Sequence, residues 1–267
     1  MPTTLGAHSP VLDRVRALKT KAGRRESGRF AIEGPTMLEE ALRSGVTPAA
    51  VYATEPAYDG ARDLLAPLEP SVPVSIVPER AMARISDLET PPGLLAVCAT
   101  ATLPLAELLA LPGPVMLLAG VGDPGNAGTL MRSAEIFGFT GIIFGHDAVE
   151  PYNPKVVRAS MGAIFRLPAA VAGADEIAAA ARSADYELVA TGDEGEPLDR
   201  FVFRRRSVIA IGNERRGVRG WLERWDRTAT IPQHGSGESL NAAVAGSIVA
   251  YVASTRLAER AETPGGR

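Results

Sequence analysis

Three short stretches in the second half of the chain carry residues that could do chemistry. In NAGTLMRSAEIFG, residues 126–138, Asn126 is placed to cap a helix whose Leu130, Ala134 and Phe137 form an apolar stripe, leaving Arg132 on the opposite face. In SVIAIGNERRGV, 207–218, an apolar strand ends on Gly212 and runs into Asn213, Glu214, two arginines and Gly217. In IPQHGSGESLNAAVAGSIVAY, 231–251, a strand end leads through a glycine-rich loop to Ser239 and Asn241 at the mouth of a helix. Ligands collect where carboxyl ends of strands meet glycine-containing turns, because backbone N–H and C=O groups are bare there. A helix mouth adds amides that favour an anion or carboxylate. Each stretch also has an ordinary structural reading: a solvated arginine, a polar turn with glycines at positive φ, and Ser239 as a helix cap.

A fourth stretch points to different chemistry. Residues 120–125, GVGDPG, spell G-x-G-x-x-G after an apolar strand, and Asp147 follows the next strand, about where a dinucleotide fold carries its ribose-binding carboxylate. Against a nicotinamide enzyme, Pro124 precedes the third glycine and the helix is expected to start at Asn126 or later, whereas that motif needs its third glycine inside the helix. Cys98 lies in the apolar run LLAVCAT and reads as a core residue rather than a nucleophile. With one cysteine there is no internal disulfide, and His8, His146 and His234 lack metal-ligand spacing, so no metal is expected.

The elements that must position these residues form two α/β series. FAIEG, AAVYAT, PVSIV and LLAVCAT read as strands, with TMLEEALRSG a helix that keeps Met37, Leu38, Ala41 and Leu42 at helical spacing and stops at Gly45. This predicts a first domain over 1–103. Residues 104–114, with three prolines and a glycine, read as a linker to a second domain over 115–267. There VMLLAG, GIIFG, ELVAT, SVIAIG and TATIP read as strands, and Leu240 to about Leu257 as a helix with Val244, Ile248, Tyr251 and Val252 on one face. The tail ETPGGR is expected to be disordered.

Taken in order, the three stretches resemble the three motifs of the SpoU/TrmH family of RNA ribose methyltransferases, in the SPOUT superfamily. Asn126, Gly128, Arg132 and Gly138 match the first, N-x-G-x-x-x-R-x-x-x-x-x-G; Gly212, Glu214 and Gly217 match the second, G-x-E-x-x-G; Ile231, Pro232, Ser239, Leu240 and Asn241 match the third. PYNPKVVRASMGAIFRLP, 151–168, is similar to the stretch between the first two motifs, and FAIEGPTMLEEAL and ISDLETPPGLLAV are similar to the family's substrate-binding domain. Arg215, Gln233 and Ala242 depart from the commoner glycine, methionine and valine.

The resemblance implies a small α/β domain related to ribosomal protein L30e, then an α/β methyltransferase domain with a mostly parallel sheet and a C-terminal trefoil knot. It implies S-adenosylmethionine (AdoMet) as cofactor, contacted by Gly212, Ile231 and Leu240 with support from Thr191 and Gly192. It makes Arg132 the centre of catalysis, held with the ribose by Asn126, Glu214, Ser239 and Asn241. The reaction is transfer of a methyl group to a ribose 2′-hydroxyl of structured RNA, with 23S ribosomal RNA favoured over transfer RNA, by a homodimer. A non-catalytic RNA-binding protein of the same fold is the competing reading.

Composition sets limits on that picture. The 267 residues include 28 basic and 31 acidic side chains for a net charge of −3, which argues against a polycation held to nucleic acid by charge alone. By position, however, residues 13–29 carry seven basic against two acidic side chains, and 204–219 six arginines against Glu214. Arg24, Arg25, Arg29, Arg158, Arg215 and Arg216 are therefore the candidate RNA contacts. No apolar run approaches the ~18–20 residues that span a bilayer, and a cytoplasmic location is expected.

Overall fold

The computed structural model describes residues 2–68, 71–213, 216–236 and 239–262, with side chains described to 258. Two compact units emerge: Met1–Thr100 with Tyr152–Arg158, and Ala101–Pro151 with Ala159–Arg267.

In the first unit, strands β1 (Thr3–Thr4), β2 (Arg29–Glu33), β3 (Ala50–Ala53), β4 (Val74–Ile76) and β5 (Leu94–Ala99) make a mixed sheet in the order β1-β4-β3-β5-β2. Helices α1 (Pro10–Ala17), α2 (Lys21–Ser27), α3 (Pro35–Arg43), α4 (Glu55–Gly60), α5 (Arg62–Leu65) and α6 (Glu79–Ile85) connect and cover it. Leu12, Val15 and Leu18 pack with Met82, Ile85, Leu95 and Val97 in one core. The basic segment 13–29 becomes α1 and α2, and Arg24 is not on the surface: it is only 5% exposed, and its Nη1 donates to the Leu18 carbonyl at 2.7 Å. A buried guanidinium satisfied by a carbonyl is a structural tie, which corrects its expected role as an RNA contact. Cys98 is fully buried in β5, and burial pushes its thiol up to about 12, which keeps it neutral and inert.

The second unit holds α7 (Leu105–Ala110), β6 (Val115–Ala119), α8 (Pro124–Ile136), β7 (Gly141–Gly145), a 3-10 turn (Ala163–Phe165), β8 (Ala169–Ala172), α10 (Ala174–Ser183), β9 (Glu187–Pro197), β10 (Ser207–Gly212), β11 (Arg227–Thr230) and α11 (Ala242–Glu262). Helix α9 (Pro154–Ala159) precedes the 3-10 turn in sequence. The sheet runs β11-β9-β10-β6-β7-β8, and every pair in it is parallel. The tail from Thr263 lies outside the described residues.

Three local expectations change. Residues 104–114 are not a linker: Leu105, Leu108 and Leu109 of α7 are buried in the second unit's core, and the Tyr186 hydroxyl donates to the Leu111 carbonyl at 2.7 Å. The prolines flank this helix instead of interrupting it, as their missing N–H allows. Strand β8, AAVA, is an additional edge strand built from alanine, a residue with little β preference. Segment 152–158 belongs to the first unit, where the Tyr152 ring meets Phe30 at 4.6 Å, Val156 and Val157 are buried, and Arg158 pairs with Asp87 at 3.2 Å. Arg158 therefore serves this contact rather than standing free for RNA.

Replacing Tyr152 by alanine removes a ring that is 8% exposed together with its contact to Phe30. Urea denaturation followed by circular dichroism should give a loss of about 3 kcal/mol.

Candidate active site

In an all-parallel sheet the carboxyl ends of the strands share one edge, so the loops after β6, β9, β10 and β11 gather there. Side chains fasten them together. β10 pairs with β6 from Val208↔Val115 to Gly212↔Ala119, and the next residue, Asn213, donates from Nδ2 to the Gly120 carbonyl at 3.2 Å. The Thr191 hydroxyl donates to the Ala210 carbonyl at 2.7 Å, tying β9 to β10. Asn213 had no expected role; its signal was its place directly after a strand-ending glycine.

Gly212 and Gly217 are needed as glycines for different reasons. A Cβ on Gly212 would run into the backbone of Gly217, which folds back through a 2.7 Å bond from its N–H to the Asn213 carbonyl. Gly217 itself holds φ +57°, in the left-handed region. Glu214 and Arg215, between them, lie outside the described residues.

Helix α8 starts two residues earlier than expected. Asp123 is its cap, accepting from the Asn126 amide at 2.8 Å, and Pro124 takes the first helical position. Asn126 therefore sits inside the first turn and does not cap the helix; its Oδ1 accepts from Asn241 Nδ2 at 3.1 Å. Asn241 Oδ1 in turn accepts from the amides of Ala243 and Val244 and caps α11. Those amides are thus taken by Asn241, and Ser239, exposed in the preceding loop, is not the cap. Farther along, the Ser133 and Ser247 hydroxyls meet at 2.7 Å, and Gly246 lets α11 lie directly on Leu130 and Ile211. Leu130 and Ala134 are buried as expected, while Phe137 is half-buried against the edge of Tyr251. Arg132 projects from the other face, exposed and without an ion pair among the described residues.

The early helix start removes the argument from a deferred helix against dinucleotide binding. Asp147 supplies another: its Oδ1 accepts from Trp221 Nε1 at 2.9 Å, and its other oxygen lies close over Gly120, so the carboxylate is already engaged at this edge. Gly192 is exposed, with only ordinary contact of a would-be Cβ to Thr228, and β9 does not end there but runs on to Pro197, looping out where its pairing to β11 shifts from Thr228↔Ala190 to Ala229↔Glu196. Ile231 is half-buried and Leu240 39% exposed.

The arginine cluster of 204–219 is divided. Arg206 donates to the carbonyls of Ala184 and Leu109, and Arg204 pairs with Asp185, all before β10 begins. Arg216 is exposed beyond its far end, while Arg219 pairs with Glu194. Arg25 and Arg29 are exposed in the first unit. Among the described residues no group of three or more His, Cys, Asp or Glu is placed to hold a metal ion, and no helix is long and apolar enough to cross a membrane.

Comparison with known proteins agrees with this geometry. Residues 114–251 match the SpoU rRNA methylase family, and residues 10–96 match the MRM3-like substrate binding domain. The chain is 29% identical over 239 residues to the 23S rRNA (guanosine(2553)-2′-O)-methyltransferase RlmP of Bacillus subtilis (strain 168), covering 88% of this chain and 92% of that protein. It is 31% identical over 249 residues to the 23S rRNA (uridine(2479)-2′-O)-methyltransferase of Streptomyces viridochromogenes, covering 86% and 84%. Among solved structures, the AdoMet-bound rRNA methyltransferase from Sinorhizobium meliloti superposes with a TM-score of 0.84 at 27% identity, over 95% of this chain and 98% of that one.

Asn241→Ala removes both the cap of α11 and the bond to Asn126. A cap is worth about 1 kcal/mol, so the melting temperature should fall by about 2–4 °C, and Asn241→Ser, which still caps, should recover most of it in the same calorimetric scan.

Proposed function

The chain belongs to the SpoU rRNA methylase family, and from that membership we propose that it transfers the methyl group of AdoMet to a ribose 2′-hydroxyl of 23S ribosomal RNA. The observation that carries the reading is the Asn126–Asn241 bond, which joins the first and third motifs beside the strand-end loops and leaves Arg132 unpaired on the open face of α8. Relatives covering most of the chain are named for 23S rRNA, which favours it over transfer RNA.

The loops suit the cofactor. A nucleoside with a charged amino-acid end needs backbone groups at close range and apolar surface for its base; the exposed backbone of Gly192, the tight Gly212 turn, and the exposed faces of Ile231 and Leu240 supply these. When bound, AdoMet supplies an electrophilic methyl on a sulfonium. The Arg132 guanidinium offers several N–H donors and a positive charge on one rigid group; its part is to orient the hydroxyl and the adjacent phosphate. Asn126 and Asn241 fix the helix that carries it, and Glu214 and Ser239 are assigned to holding the ribose. Arg25, Arg29 and Arg216, with Arg215, contribute phosphate contacts. The trefoil knot belongs to the same reading, supported by the close approach of the Gly217 and Val218 backbone to Gly212. So does a cytoplasmic location, supported by the bacterial relatives.

A homodimer completes the proposal. Val244, Ile248 and Tyr251 of α11 are 49%, 37% and 57% exposed, and Ile136 of α8 is 63% exposed, so the apolar face expected from the sequence points outward. An exposed apolar stripe of this kind fits a second copy of the same helix pair about a two-fold axis.

Two experiments test this. Arg132→Ala should lower methylation of 23S rRNA transcripts by at least about 100-fold while calorimetry gives unchanged AdoMet affinity; full activity in that variant would remove Arg132 from the mechanism. Ile248→Glu with Tyr251→Asp should convert a dimer to a monomer in sedimentation velocity with the circular dichroism spectrum retained.

A further inference from the structure

Among the described residues only Met161 and Asp185 are non-glycine residues at positive φ. Asp185 is of a type that tolerates this region because its short polar side chain bonds locally; methionine is not. Met161 holds φ +48° and Gly162 φ 90°, ψ −9°, and the Ala163 amide donates to the Ser160 carbonyl at 3.0 Å. Two consecutive positive φ values closed by such a bond make a tight turn of the primed type, whose first central position favours asparagine, aspartate or glycine. The chain instead puts a long apolar residue there and leaves it 53% exposed, between a fully buried Ser160 and a buried Gly162. Neither packing nor backbone preference accounts for this choice, and strained positions of this kind gather at functional sites.

The turn sits beside the catalytic helix. The 3-10 turn that follows, Ala163–Phe165, packs on α8, and Arg166 just after it forms an ion pair with Glu135, one helical turn beyond Arg132 on the same face. We infer that Met161 is a substrate-positioning residue whose thioether packs against a nucleobase at or next to the methylated ribose. An unstacked base offers a π-face, and methionine meets such faces with a flexible, polarisable surface that needs no particular base identity. The inference rests on the 2′-O-methyltransferase reading above.

Substitution separates this role from a structural one because the two predict opposite directions. Met161→Asn and Met161→Gly suit the turn better, so their melting temperatures should equal or exceed that of the unaltered protein. With 23S rRNA transcripts, both should raise the KM for RNA about 3- to 10-fold, with kcat and AdoMet affinity unchanged, and Met161→Leu should restore most of the loss. An unaltered KM in Met161→Asn, alongside an active parent protein, overturns the inference and leaves the activity standing. Loss of the dimer in sedimentation on Met161→Asn also overturns it, by assigning the side chain to a subunit contact. A parent protein that methylates no ribosomal RNA overturns the underlying reading, and this inference with it.

Discussion

The parallel pairing of β6 with β10 is the constraint on which the rest of the site depends. Five consecutive residue pairs, ending at Gly212↔Ala119, bring two strand ends level although 93 positions and three other strands separate Gly212 from Ala119 in the chain. Only with the ends level can Asn213 reach the Gly120 carbonyl, and only with a glycine at 212 can the following turn fold back on itself. A one-residue slip would turn each of these buried strands over and carry Asn213 away from its partner. The register of two apolar strands thus sets the positions of polar groups that lie beyond both.

A second fastening runs through α8 and α11. Gly246 lets the helices approach until Leu130 fills the space a side chain would occupy, Ser133 meets Ser247, and Asn241 closes the near end on Asn126. Asp123, not Asn126, caps α8, so the Asn126 side chain lies within the first helical turn where Asn241 reaches it. The same packing turns Val244, Ile248 and Tyr251 of α11 outward, because Ala243, Val249, Ala250 and Ala253 face inward and are buried.

Strong periodicity made most elements legible in the sequence. The runs at Phe30, Val51, Leu94, Val115, Ile142 and Ser207 all become strands, since their alternation or continuous apolarity has one economical use. Where several forces compete, the sequence misleads. Leu105–Ala110 reads as linker because its flanking prolines outweigh a six-residue helical pattern, yet three leucines bury it. β8 is invisible because alanine satisfies a strand, a helix or a turn about equally well. The return of 152–158 to the first unit depends on contacts across more than a hundred residues, of which no local pattern carries a trace.

Charge shows the same limit. Counting arginines along 13–29 and 204–219 treats each as a cation in water, but a guanidinium is also five donors on a long apolar stem. Arg24 spends its donors on the Leu18 carbonyl, Arg206 on those of Ala184 and Leu109 while lying over the Tyr186 ring at 4.7 Å, and Arg158 on Asp87. Each of these closes a turn or joins two segments, so its contribution to RNA affinity is lost to the fold. Arg25, Arg29, Arg132 and Arg216 are among the arginines left exposed, and Arg132 is the one proposed for the centre of the site. For a chain of net charge −3, the relevant quantity for RNA is therefore the number of guanidinium groups that no carbonyl or carboxylate of the protein has already engaged.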